Sequence, residues 1–228
     1  MPALSSEEIR KTCVRLHQRI VERFPDSGLS KTCESLATLS EEADNTIAWI
    51  GRPNHVIRYS AWLVIALLIA SLIRTCVAFH VTFEGMNIAD FFQMIDAGFN
   101  SVVLLGAAGI FLMTFEIRRK RRRVISSVNK LRSIAHIVDA HQLLKDPNYM
   151  AEKRTPHSPD RDLGGYELGR YLDYCSEMLS LCGKIAFLYV QDFDDADANE
   201  AVNDLESLTI GLSQKIWQKI VILNSGDN

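Results

Sequence analysis

Two short segments carry residues whose types and spacing suit metal chemistry. The first, AHIVDAHQLLKDP, holds His136, Asp139, His141 and Asp146. On a helix His136 and Asp139 share a face, because positions three apart are neighbours. Imidazole with carboxylate is a donor set that divalent metals accept. His141 points elsewhere, so the spacing lacks a third ligand, and a polar helix end packed on its neighbours explains the same residues. The second segment is QDFDDADANEAVNDLE. Counted from Asp195, positions one, three and five are Asp195, Asp197 and Asn199, and position twelve is Glu206, as in a helix-loop-helix calcium site. The sixth position, where such a loop turns on glycine, is Glu200. The simpler account is an acidic helix start capped by Asp197 or Asn199, its carboxylates favoured by the helix dipole.

Catalytic patterns are missing. The chain has no Ser-His-Asp order, glycine-rich phosphate loop or His-Glu-x-x-His sequence, so neither an enzyme nor a cofactor is predicted. The five cysteines, Cys13, Cys33, Cys76, Cys175 and Cys182, form no CxxC pair and show no repeated spacing. That argues against structural zinc and against a disulfide framework. Four of them fall in segments assigned to the reducing cytoplasm, where buried free thiols are the default.

The elements that position these residues are helices, two of them predicted to cross a membrane. Apolar residues make up 47% of the chain, and they are concentrated in two blocks. The first, about Ser60 to Phe79, reaches ~30 Å as a helix, enough to span a hydrocarbon core. Between Ala61 and Ile73 its one polar residue is Ser71, so it has no solvent-facing stripe. The second block is cleanest from Ser101 to Phe115 and long enough only when extended back to Phe91. One helix is therefore predicted from about Ile88, running past the membrane into the cytoplasm. Arg74, Asp96 and Asn100 then lie inside the membrane region near its outer face. A lone charge deep in a bilayer costs ~2.5–3.5 kcal/mol, so Arg74 and Asp96 are expected either to pair or to reach outer headgroups separately.

Charge sets the orientation. Arg52 and Arg58 precede the first block, Arg118, Arg119, Lys120, Arg121, Arg122 and Arg123 follow the second, and no Lys or Arg lies between Arg74 and Arg118. The positive-inside rule places both termini in the cytoplasm. The basic run is also a candidate for anionic lipid headgroups, at ~1 kcal/mol per residue. It has no aromatic interleaving, which disfavours nucleic acid. The opening residues are polar, with no signal peptide.

The remaining segments read as amphipathic helices. Ser5 and Glu8 form a capping box, followed inward by Ile9, Cys13, Leu16, Ile20 and Phe24. After a Pro25-Gly28 break come Cys33, Leu36, Ser40, Ala43, Ile47 and Ile50. Val124, Val128, Leu131, Ala135 and Val138 form the next stripe. Leu168, Leu172, Cys175, Leu179, Cys182 and Ile185 then mark a helix over about 166–191. Val202, Leu205, Leu208, Leu212, Ile216 and Ile220 mark the last, over about 199–223. The predicted architecture is all-α: an integral two-helix transmembrane hairpin carrying a cytoplasmic bundle built from both ends of the chain. Its divisions are residues 1–53, the hairpin 54–117 with an outer loop about 80–90, the helical extension 118–146, a linker 147–165 and a helical hairpin 166–228.

Two phrases, AHIVDAHQLLKDP and RYLDYCSEMLSLCGKIAFLYVQ, resemble a group of uncharacterised bacterial two-pass membrane proteins. That resemblance implies a bacterial inner membrane and no activity. Gly85-Met86-Asn87 looks like the signature of a two-pass pentameric magnesium-channel family, although here it lies beyond the first span and over a hundred residues follow the second. The layout of two spans plus cytoplasmic helices is similar to predicted pore-forming effectors of bacterial immunity systems. Two functions are expected from these features. The first is a membrane-anchored scaffold or sensor that self-associates and docks a cytoplasmic partner. The second is a homo-oligomeric channel or pore lined by the second span, where Gly106, Ala107, Ala108 and Gly109 allow close helix approach.

Overall fold

The computed structural model of the chain describes residues 3–52, 55–80, 88–143, 145 and 163–226. Among the described residues there are six helices and no strand: α1 (Ser6–Arg23), α2 (Gly28–Gly51), α3 (His55–His80), α4 (Ile88–Leu143), α5 (Gly165–Val190) and α6 (Ala196–Gly226). Gly85-Met86-Asn87, Asp146 and most of the expected linker lie outside the described residues. The chain divides into two compact units, Met1–Gly51 with Arg121–Asn228, and Arg52–Lys120, so that α4 contributes to both.

In the first unit local chemistry sets the helix ends. Ser5 caps α1, its hydroxyl accepting the Glu8 N–H at 3.4 Å. The Phe24 N–H closes the last turn on the Ile20 carbonyl at 2.7 Å, and Pro25 cannot continue the ladder. Asp26 then takes a positive φ of 55°, a left-handed conformation that aspartate tolerates better than a branched residue does. Ser27 accepts the Ser30 N–H at 3.1 Å and so starts α2. Gly28 leaves room for a neighbouring ring: a Cβ there would overlap Cε1 of His141. That ring is held at the end of α4, its Nε2 3.3 Å from the Thr32 hydroxyl.

These helices enclose α5. Fourteen of its 26 residues are buried, on more than one face, so several neighbours must cover it, and a polar strip through Asp173, Glu177, Ser180 and Lys184 is left toward solvent. It packs on α1, α2 and α6. Phe24 meets Tyr171 and Tyr174 edge-on at centroid distances of 5.4 and 6.2 Å. The stripe Val124, Val128, Leu131, Ala135 and Val138 is fully buried, so α4 joins the same core. Lys130 pairs with Glu42 of α2 at 2.9 Å, and Lys219 of α6 donates to the Gln142 carbonyl at 2.7 Å.

The second unit is built differently. Trp62, Leu63 and Leu67 of α3 and Ile88, Phe99, Leu104 and Phe111 of α4 are all more than 60% exposed. Among the described residues one helical stretch, Gly98–Leu143, is long and apolar enough to cross a membrane, and none of its most apolar window is buried.

Two outcomes test this packing by denaturant unfolding of the purified chain. Leu179→Ala, at a fully buried site, lowers stability by about 2–5 kcal/mol. Gly28→Ala also destabilises, by about 1–3 kcal/mol, and His141→Ala in the same chain recovers most of that loss.

Candidate functional site

Three features of the first unit have the chemistry of a site: a basic-acidic junction, a set of buried thiols and an open groove. The junction joins α4 to the turn before α6. Asp195, 6% exposed, caps α6 by accepting the Ala198 N–H at 3.0 Å. Its carboxylate also receives Nε of Arg121 at 2.9 and 3.0 Å and Nη2 at 2.8 Å. Nη1 of the same guanidinium pairs with Asp197. Such a fork of charge-assisted bonds fixes orientation as well as position. Burial pushes the Asp195 carboxyl up, but Arg121 and the Ala198 and Asp197 amides outweigh it and hold the group below its usual range.

The helix cap therefore differs from expectation. Asp195, not Asp197 or Asn199, closes α6, and the helix begins at Ala196. Arg121 supplies the reason: it holds Asp195 in place to cap, which no local pattern reveals. Arg121 also turns to protein carboxylates, unlike an arginine offered to headgroups. Its neighbours differ among themselves. Arg118 and Arg122 are exposed, Lys120 pairs with Glu116 at 3.1 Å, and Arg123 stacks over the Trp49 ring at 4.7 Å. Arg119 is exposed and makes a contact of its own.

The candidate metal ligands do not converge. His136 is exposed, Asp139 accepts from the Gln142 amide at 2.6 Å, and His141 packs on α2. Asp195 and Asp197 meet through Arg121, Asn199 donates its backbone N–H to the Asp195 carbonyl at 2.9 Å, and Glu206 lies further along α6 beside Gly183. Among the described residues no group of three or more His, Cys, Asp or Glu is gathered as a metal would require. In the second unit, Asp96 is exposed and accepts from Asn100 at 3.5 Å, one turn along α4. Arg74 is exposed too.

Cys13, Cys33, Cys175 and Cys182 are free and buried. Burial pushes Cys13 up to about 11 and Cys33 and Cys175 up to about 12, and it raises Cys182 as well. All four are thiols at neutral pH and serve as core residues, not nucleophiles.

The groove runs along the outside of α5. One hollow of about 620 Å³ lies between α1, α5 and α6, with Glu8, Asp173, Glu177 and Lys184 among its lining residues. A second, of about 550 Å³, adjoins it between α5 and α6. Ser176, Ser180 and Trp217 line both. Trp217 is 65% exposed. Sequence reasoning passed over this residue because it sits next to the inward-facing Ile216. The available signal was a second apolar series on α6, Ile210, Trp217 and Val221, at spacings of seven and four.

No family model matches the chain, and no curated protein or solved structure matches it.

The junction makes a graded prediction. Asp195→Ala costs at least ~1 kcal/mol through the lost cap alone, and more through the stranded Arg121. Asp195→Asn retains a cap and loses less, and Asp197→Ala, at an exposed carboxylate, loses least. Because the folded Asp195 carboxyl is depressed, its contribution is full at neutral pH and fades as acid takes the pH down through the ordinary carboxylate range and below. Thermal melts between pH 7 and pH 3 read both effects, with a flatter acid limb for Asp195→Asn.

Proposed function

We propose that this chain is a membrane-anchored helical scaffold or sensor, crossing the bilayer twice, that self-associates and docks a cytoplasmic partner on its bundle. The observation that carries the reading is the contrast between the two units. One buries its apolar residues around α5, while the other leaves large apolar side chains of α3 and α4 exposed. In water such exposure is costly, at roughly 25 cal/mol per Å²; in hydrocarbon it is not. The 26 residues of α3 include the apolar block read as the first span, and α4 supplies the second. The arginines flanking the two blocks favour cytoplasmic termini. The resemblance of two phrases to bacterial two-pass proteins points to an inner membrane. The exposed Arg118 and Arg122 suit anionic headgroups, and the groove with its exposed tryptophan suits a protein helix.

The full chain should remain with membranes through alkaline carbonate washing, and cysteines placed near either terminus should resist an impermeant label applied to intact cells. Release into the soluble fraction, or a terminus labelled from outside, overturns the reading.

A second reading rests on one observation. Gln93, Asp96 and Asn100 are exposed at successive turns of a helix whose next residues, 102–113, are apolar. Within a bilayer that face must be covered by protein or water. A ring of α4 helices around an aqueous axis would supply the water, making the assembly a channel or pore. Planar-bilayer conductance of the reconstituted chain tests it. The expected result is a cation preference that falls on Asp96→Asn; a silent bilayer removes the pore and leaves the scaffold.

A further inference from the structure

Each apolar block holds a single charge. Between Ser60 and Phe79 the one charged residue is Arg74, and between Phe91 and Phe115 it is Asp96. Both side chains are exposed. Among the described residues Arg74 makes no ion pair, and Asp96 accepts one bond, from the Asn100 amide on its own helix at a long 3.5 Å. Each hairpin thus carries one positive and one negative group that it does not join to each other.

In lipid the two groups are not equivalent. The helix α3 ends at His80 and α4 begins at Ile88. At ~1.5 Å per residue Arg74 lies ~9 Å in from its helix end, and Asp96 lies ~12 Å in. The long arginine stem can carry its guanidinium toward headgroups. Aspartate has a single methylene and cannot do the same, so its carboxylate needs a cation at its own depth. Arg74 is the one cation in either block, and the ~3 Å difference in level is within the reach of its side chain. All copies of the chain insert the same way up, so Arg74 of one copy stands near the depth of Asp96 in the next. A second copy therefore supplies both missing charges at once. In a two-fold contact residue i meets j and j meets i, so two ion pairs close and no charge is left over. A foreign helix would need an acid and a base at matched depths to do as much.

We infer that the hairpins of two copies pack about a two-fold axis along the bilayer normal, with Arg74 of each copy bonded to Asp96 of the other. The inference rests on the proposed two-pass, self-associating reading and names the contact behind it. Charge complementarity fixes the arrangement as well as the partner: α3 of one copy must lie against α4 of the other, since α4 against α4 would oppose the two carboxylates.

The test uses the full chain reconstituted into lipid vesicles, with self-association read as energy transfer between two labelled pools. Arg74→Asp alone and Asp96→Arg alone are each expected to lower association at least about tenfold. An equal mixture of the two variants should regain it, because in a mixed pair every aspartate again faces an arginine. Both changes placed in one chain should regain it too. Recovery by that double variant but not by the mixture assigns the ion pair to a single hairpin and overturns the contact. Single reversals without effect leave both side chains to headgroups and overturn it as well, with self-association then resting on another surface. If a reversal keeps the chain out of the vesicles, Arg74→Gln and Asp96→Asn serve in its place: each should lower association, and no change overturns the inference. A parent chain that never self-associates removes the proposed self-association and this contact together.

Discussion

The burial of α5 is the constraint from which the bundle follows. A helix with one apolar stripe needs one neighbour; a helix apolar on several sides needs a sheath. Tyr171, Tyr174, Met178, Leu181, Ala186, Leu188 and Tyr189 are buried beyond the single stripe of Leu168, Leu172, Cys175, Leu179, Cys182 and Ile185. This second set obliges α1, α2, α4 and α6 to close around α5 together. The polar junctions then fix registry. Arg121 on Asp195, Lys130 on Glu42, Arg19 on Glu177 at 2.8 Å and His141 on Gly28 each tie two elements at one point. Most are exposed enough to add little energy; what they add is position.

Much of this was legible from periodicity. The inward stripes of α1, α4 and α5 are buried residue for residue, because a 3.6-residue repeat maps directly onto a face, while Ile47 of α2 and Leu208 and Ile220 of α6 are only half-buried. The Ser5 cap is local and was readable for the same reason. The second face of α5 was harder. Tyrosine and methionine count weakly toward a stripe, and a wide apolar face beside the narrow polar strip of Asp173, Glu177, Ser180 and Lys184 blurs the edge of that stripe. The start of α6 was misplaced because Asp195 is chosen as cap by Arg121, 74 positions away in sequence. No local pattern carries that information.

The candidate metal residues illustrate the limit of spacing as an argument. Asp195, Asp197, Asn199 and Glu206 match a loop template by count, but the segment is a helix from Ala196 onward, so its carboxylates spiral instead of converging. His136 and Asp139 do share a turn, and nothing brings a third ligand to them. Ligand identity at the right interval needs a backbone that bends the donors inward. Without glycine at Glu200 this backbone does not bend.

The way the core draws on both ends of the chain has a consequence for its making. The pair α1–α2 is complete at Gly51, while the central helix it packs against starts only at Gly165. At a translation rate of about 5–20 residues per second, the pair waits on the order of ten seconds with Leu16, Ile20 and Leu36 uncovered. During that interval the intervening apolar helices emerge and must find their own surroundings. The surfaces that the pair α1–α2 turns toward α5 therefore stay uncovered until that later helix has been made.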